Sequence, residues 1–370
     1  MRVQKTIGGS GTTSGIAWTR RIANDPDYLA ARLHARRSRM AEGERLDGLC
    51  RIQNLPEFSK AIFPESEFQG TLDFQRHLVH DLIDELSRFR AYMLGPGADL
   101  IDWTLVRFQV ENLKIFIRAY LKNIPAKDLE GYLISLPGEP ALNTEGLAGV
   151  KSPEDLVRLA PKGVFRENLA KTLDIDRSHP RPFFLEAALD RGYFQGLIAG
   201  AERLSQEEQE IIGPMVYQEV DIFHLMLVTR GKFHYNLTPA SLRLLHVPGT
   251  RISRALFTVM LNDQDLSTSV SRAAGRVFDS VPLDQGPGTG SVVADASAAE
   301  GLAWKRFLRL ADLAFRRDHM GLGAIMGYAG LRRVEIANLI TISEGIHSGM
   351  TAEAIRARLI PRVKAESAYV

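Results

Sequence analysis

Three stretches of this sequence carry polar residues at a spacing that a helix turns to one side. The first holds Gln109, Asn112, Leu113 and Arg118, the second Asp221, His224, Leu225 and Arg230, and the third Glu335, Asn338, Leu339 and Glu344. In each, a polar residue stands three before an Asn or His, a leucine follows it, and a charged residue lies six after it. On an α-helix, residues i and i+3 share a face, so Asp221 and His224, or Glu335 and Asn338, can bond each other or a common partner. The charged residue, six steps of about 100° further on, points about 120° away from the anchor. Two readings remain open: a buried polar clamp that fixes helix packing in each copy, or a ring of polar groups on a shared surface. The clamp is the plainer of the two.

Other candidate chemistry is thinner. His77, His80, Asp81 and Asp84 fall at i, i+3, i+4 and i+7, and two histidines with a carboxylate on one face could hold a transition metal. With neither HExxH spacing nor cysteine ligands, a solvated polar face is the plainer reading, with Asp81 or Glu85 forming exposed ion pairs with Arg88. No GxxxxGK[ST] or GxSxG sequence occurs. Gly286, Gly288 and Gly290 suggest a phosphate cradle only superficially, since Val293 stands where a third motif glycine belongs. Cys50, the single cysteine, lies in an apolar stretch and reads as a small buried hydrophobe, consistent with a reducing compartment. The basic stretch Arg32–Arg39 reads as a helix with one apolar and one basic face, facing water or an acidic protein surface.

The elements that must position these groups are helices. From Phe74, apolar residues recur at Leu78, Leu82, Leu86 and Phe89, and again at Trp103, Val106, Val110, Leu113, Ile117 and Tyr120. Ser152-Pro153, Ser205 with Glu208, and Thr238-Pro239 are helix-start signals. Strand-like alternation is nearly absent, Ser291-Val292-Val293 being too short, so the expected fold class is all-α. Leu136–Gly149 reads as a linker, Ser178–Pro182 as an elbow, Asp284–Ser297 as a small-residue loop, and residues 1–26 as a flexible tail. The longest apolar run, Leu322–Leu331, is too short to cross a bilayer.

Composition narrows the function classes. Hydrophobic residues at 45% and charged residues at 24% exclude a largely disordered or collagen-like chain. Forty-six Lys and Arg against forty-four Asp and Glu leave a net charge of +2, without the basic excess of a nucleic-acid binder. The 370 residues suffice for two or three domains. The anchors at 112, 224 and 338 divide them more specifically. Each copy is followed by a turn and a short capped helix (Ile124-Pro125, Thr238-Pro239, Met350-Thr351) and preceded by a helical pair (46–63, 152–173, 252–274). The chain therefore reads as a tail over 1–26 and helical units over 27–136, 137–247 and 248–370.

With these residues the sequence resembles the C-subunit family of the V-type ATPases and ATP synthases, whose eukaryotic members are called d subunits. The matching points are Asp27, Tyr28, Arg32 and Arg36, the stretch 46–63, Asn112-Leu113-Lys114 with Arg118, Asp190–Phe194, and Tyr328 with Glu335 and Asn338. Gln109, His224 and Ile340 depart from the family pattern. The resemblance implies three pseudo-threefold-related units forming a funnel-shaped, non-catalytic subunit with no cofactor and no small-molecule substrate. It implies a socket on the cytoplasmic face of the membrane, joining the central axle subunits to the proteolipid ring for ATP-linked proton or sodium transport. By the same analogy Arg36, Arg118, Arg230, Arg332 and Arg333 are candidate axle contacts, with Asp221 and Glu335 as their orienters. Reversing Arg332 and Arg333 to Glu would then uncouple the sectors. A generic helical scaffold and a metal-dependent hydrolase built on His77, His80 and Asp84 are the competing readings.

Overall fold

The computed structural model describes residues 26–129, 131–136, 150, 152–175, 181–278 and 296–360. Apart from their edge residues, the N-terminal tail, the Leu136–Gly149 linker, the Ser178–Pro182 elbow and the Asp284–Ser297 loop lie outside the described residues, as does Ser291-Val292-Val293. Among the described residues the fold is all-α, with an isolated bridge between Ala274 and Phe278 and no strand.

The chain begins with α1 (Pro26–Arg37), α2 (Gly43–Leu49) and α3 (Leu55–Ile62), then two long helices, α4 (Thr71–Arg90) and α5 (Gly95–Lys122). Next come the short α6 (Pro153–Leu159) and α7 (Val164–Ile175), the long α8 (Pro182–Glu202) and α9 (Gln206–Met226), and the short α10 (Pro239–Arg243). The pattern repeats with α11 (Arg254–Asn262), α12 (Leu266–Ser271), the long α13 (Ala296–Arg317) and α14 (Leu322–His347), and the short α15 (Ala352–Arg356). Start signals act where the sequence places them. Ser152 and Ser205 form capping boxes with Asp155 and Glu208, and Thr238 accepts from the Ser241 N–H.

The long helices pack in a closed order. α5 lies on α8, α9 on α13 and α14 on α4, while α4–α5, α8–α9 and α13–α14 pack as consecutive pairs. This explains why α5 buries more than one apolar stripe. Phe108 and Phe116 are buried as well as Val110, Leu113 and Ile117, because α4 flanks one side and α8 the other. A smaller hydrophobic cluster joins Leu46, Phe58, Phe74 and Leu82 to Ile336, Leu339 and Ile342, tying the first helices to the last long one.

Two stretches bear on membrane insertion. Gln206–Lys232 is long and apolar enough to span by length and mean hydropathy, although an uninterrupted apolar run is absent. In the fold, 78% of that apolar window is buried, as in the core helix of a globular fold. α14 is likewise buried along most of its length and presses closely on α13. A Cβ at Gly327 would stand 2.5 Å from Ala311 O and Phe315 N.

Candidate functional site

The three anchor residues do one job. Asn112 Nδ2 donates to Ile134 O and its Oδ1 accepts the Ile134 N–H, both at 2.8 Å. Asn338 does the same to Ile360, at 3.3 and 2.9 Å. His224 Nε2 accepts the Val247 N–H at 3.0 Å. All three anchors are buried, and each reaches a backbone group 22, 22 or 23 residues downstream. The long helix of each copy is followed within four residues by a left-handed residue, Asn123, Asn236 or Gly349, which stands eleven before the clamped residue in all three. The extra residue in the second copy therefore falls between His224 and Asn236. There the helix widens into a π-helical stretch, Leu227–Lys232, which absorbs one residue.

Because a backbone N–H donates to His224 Nε2, that nitrogen carries no proton, and the ring is neutral with its proton on Nδ1. Nδ1 faces Asp221 Oδ1 at 3.6 Å, too far for a firm hydrogen bond. The ring stacks on His246, with centroids 4.6 Å apart, and His246 Nε2 donates to Ile252 O at 2.9 Å. Burial pushes the His224 pKa down, only partly countered by Asp221. Burial, and then the neighbouring His224, push His246 down to about 4.

The residues three before the anchors differ in role. Asp221, fully buried, accepts the Arg251 and Ile252 N–H groups at 3.1 and 3.0 Å, so it orients backbone and not an arginine as the resemblance implies. Glu335 does orient an arginine, accepting from Arg332 Nη1 at 2.5 Å, and it also accepts the Ala41 N–H. Gln109 is half-buried on α5. The residues six after the anchors again share one role, each reaching the next long helix in the closed order. Arg118 makes a two-pronged bond to Glu186 at 2.7 and 2.6 Å, Arg230 does so to Glu300, and Glu344 accepts from Gln75 at 2.6 Å.

Sequence reasoning missed the centre of this arrangement. Arg107, Glu219 and Arg333 each stand five before an anchor. The fold brings them together: Arg107 Nη1 lies 2.5 Å and Arg333 Nη2 2.8 Å from Glu219 Oε1. Burial alone would raise the Glu219 carboxyl, but Arg333 and Arg107 outweigh it and hold the pKa below the usual range. Arg107 also sits over the Tyr193 ring and Arg333 over Phe307, each at 5.6 Å. The available signal was the equal offset from the anchors. Arg333 stands out in the sequence on its own, and its two counterparts do not.

A second cluster joins α1, α4 and α14. Glu85, 3% exposed at its side chain, takes Arg36 Nη1 at 2.5 Å and the Tyr328 hydroxyl at 2.6 Å, while Arg332 reaches Asp81 at 2.9 Å. This corrects the expected solvated face: Asp81 and Glu85 turn inward to α14, and Arg88 lies 4.0 Å from Asp84 instead. His77 packs edge-on against Phe63 and Phe68. Among the described residues, no three His, Cys, Asp or Glu side chains gather as a metal-holding group. Cys50 is buried, and burial raises its thiol pKa. Of the candidate axle contacts, Arg332 and Arg333 keep only 10% and 14% side-chain exposure, whereas Arg36, Arg118 and Arg230 keep 33%, 51% and 53%. Arg332 and Arg333 are thus core residues, and reversing their charge breaks internal ion pairs first.

The model of the ATP synthase (C/AC39) subunit family matches residues 29–358. The C subunit of the A-type ATP synthase of Methanothermobacter thermautotrophicus is 24% identical over 327 residues, covering 85% of this chain and 82% of its own length. The C subunit of the V-type ATP synthase of Deinococcus radiodurans is 23% identical over 380 residues, covering 94% and 98%. Its A-type counterpart in Pyrococcus abyssi is 20% identical over 340 residues, covering 89% and 88%. The chain belongs to the ATP synthase (C/AC39) subunit family, and with it to the non-catalytic structural subunits of the rotary ATPases.

Proposed function

We propose that this subunit is a central-rotor socket, seated peripherally at the cytoplasmic face of the membrane between the axle subunits and the proteolipid ring. In that position it would transmit torque for ATP-linked proton or sodium transport. The reading takes the chain as three related units, 27–136, 137–247 and 248–370, set about one axis in a funnel. The observation that carries it is the meeting of Arg107, Glu219 and Arg333, three residues at the same offset in three copies. Equivalent positions from three units converge on one point when the units surround an axis. The closed packing order of the six long helices and the three matching clamps support the same arrangement. A torque coupler must resist twisting, and each unit-to-unit seam here is bridged by a polar pair as well as by packed helices.

The test is co-purification of the full chain with the axle subunits and with the proteolipid ring. Both are captured if the socket reading holds, and capture of neither sinks it. Arg118→Ala is the cleaner test of docking, because Arg118 is half-exposed and Glu186 keeps some access to water, so the pair contributes only about 0–1 kcal/mol to stability. The expected result is weaker capture of the axle with a melting temperature little changed, whereas Arg230→Ala leaves the buried Glu300 without its partner and lowers the melting temperature as well.

A further inference from the structure

Arg191, on α8, differs from the arginines that bridge the helices of the clusters described above. Arg36, Arg107, Arg118, Arg230 and Arg332 each meet a carboxylate. Arg191 meets neutral acceptors only: Nη1 donates to Asn168 Oδ1 and Nε to His246 O at 3.3 Å. Among the described residues no carboxylate pairs with it, so none of them compensates its charge. An unpaired cation that is partly buried is costly unless something anionic comes to meet it.

Arg191 lines a cavity of about 750 Å³ bounded by the end of α7, by α8, by α10 and by the start of α11. Lys171, Arg243 and Arg254 line the same cavity, against one carboxylate, Asp174. Four cations on one concavity, one of them fixed by two side-on hydrogen bonds, suit a multiply charged oxyanion, which a guanidinium recognises through paired N–H donors. α11 starts at this cavity, with Ser253 and Arg254 both in its wall, so the positive end of the helix adds to the same field. The remaining wall is mixed, with Ile175, Leu244, Leu245 and Pro248 as its apolar part. Ile175 and Leu244 each stay 46% exposed at the cavity, a poor arrangement in water and a good one against an apolar body. The volume falls in the range of small-ligand sites, about 300–1,000 Å³.

We infer that this cavity binds a phosphate-bearing ligand with an apolar body, its phosphate held by Arg191 and Arg243 and its body against Ile175 and Leu244. A soluble phosphate compound and a phospholipid headgroup share this chemistry, and the experiment separates them. Calorimetric titration of the full chain uses inorganic pyrophosphate and ADP. Flotation uses vesicles of phosphatidylcholine and phosphatidylglycerol in equal parts. Saturable binding of either soluble probe supports a soluble ligand; flotation without it supports a headgroup. In either case Arg243→Gln should weaken binding about tenfold or more, at an unchanged melting temperature, while Arg88→Gln, exposed on α4 and outside the cavity wall, leaves it unchanged. Arg191→Gln should abolish binding. Should that variant fail to fold, Arg243→Gln and Arg254→Gln decide the matter. The inference is overturned if none of the three probes binds, if Arg243→Gln and Arg254→Gln bind as the unaltered chain does, or if Arg88→Gln loses binding equally.

Discussion

An amide side chain that both donates to and accepts from one backbone residue closes a loop without help from sequence-local structure. Asn112 and Asn338 do this, and truncating either to Ala leaves the backbone N–H and C=O of Ile134 or Ile360 without these partners. Each variant is expected to lose about 2 kcal/mol of stability, read as a lower denaturant midpoint. His224 performs only half of that exchange, accepting but not donating to the clamped residue, and it works only while neutral. Its neighbour His246 is pushed from 6.5 to about 4. A base whose folded pKa is depressed stabilises the fold above its unfolded pKa and loses that contribution as the pH falls toward the folded one. Acidification from about 6.5 to about 4 should therefore cost on the order of 2 kcal/mol, after discounting for partial solvent screening. Burial raises Glu85 and Asp190, so these carboxyls act with the opposite sign in acid. The check is the difference in acid sensitivity between the unaltered chain and His246→Gln, which should be less sensitive; equal sensitivity would refute the assignment.

At the scale of elements, contact distance decides which glycines matter. Gly327 lies where α14 crosses α13 so closely that an added methyl meets backbone atoms at 2.5 Å. Backbone cannot swing aside as a side chain can, so Gly327→Ala should destabilise by about 1–3 kcal/mol, seen in thermal unfolding. Gly48, inside α2, has nothing within 4 Å of that position. Gly48→Ala should leave stability equal or raise it by about 0.5–1 kcal/mol, through helix propensity alone. The π-helical stretch Leu227–Lys232 belongs to the same scale. It lets the second copy keep its downstream turn in step despite one additional residue. Deleting one residue there should restore a 22-residue clamp, and a crystal structure would show whether the regular helix returns.

For the molecule as a whole, the Arg107–Glu219–Arg333 cluster links α5, α9 and α14. Removing its one carboxylate leaves two arginines facing each other in a buried setting. Glu219→Gln should therefore cost about 3–5 kcal/mol, with global unfolding in a single transition that moves to lower denaturant. The same variant retaining its midpoint would mean that the three helices do not depend on this contact. The Glu85 cluster has a matching role at the seam between the first and last segments, where Tyr328 and Arg332 of α14 meet Glu85 and Asp81 of α4. Together with the apolar cluster of Phe74, Leu82, Leu339 and Ile342, it closes the order of helices begun by α4.

Much of this was legible in the sequence, because helix periodicity and capping are local properties. The face of α4 and the capping boxes at Ser152 and Ser205 needed only residues within a turn or two of one another, and the anchors emerged from matching such short stretches along the chain. Family membership followed from the same order of short motifs. What the anchors bind was not legible, since Ile134, Val247 and Ile360 lie more than twenty residues away. Nor was the inward turn of Asp81, Glu85, Arg332 and Arg333, whose partners stand up to 251 residues distant. A charged side chain looks the same in sequence whether it faces water or an opposite charge. Only packing α4 against α14, and α5 and α9 against the same helix, removes the water and so decides which charges are surface and which are structure.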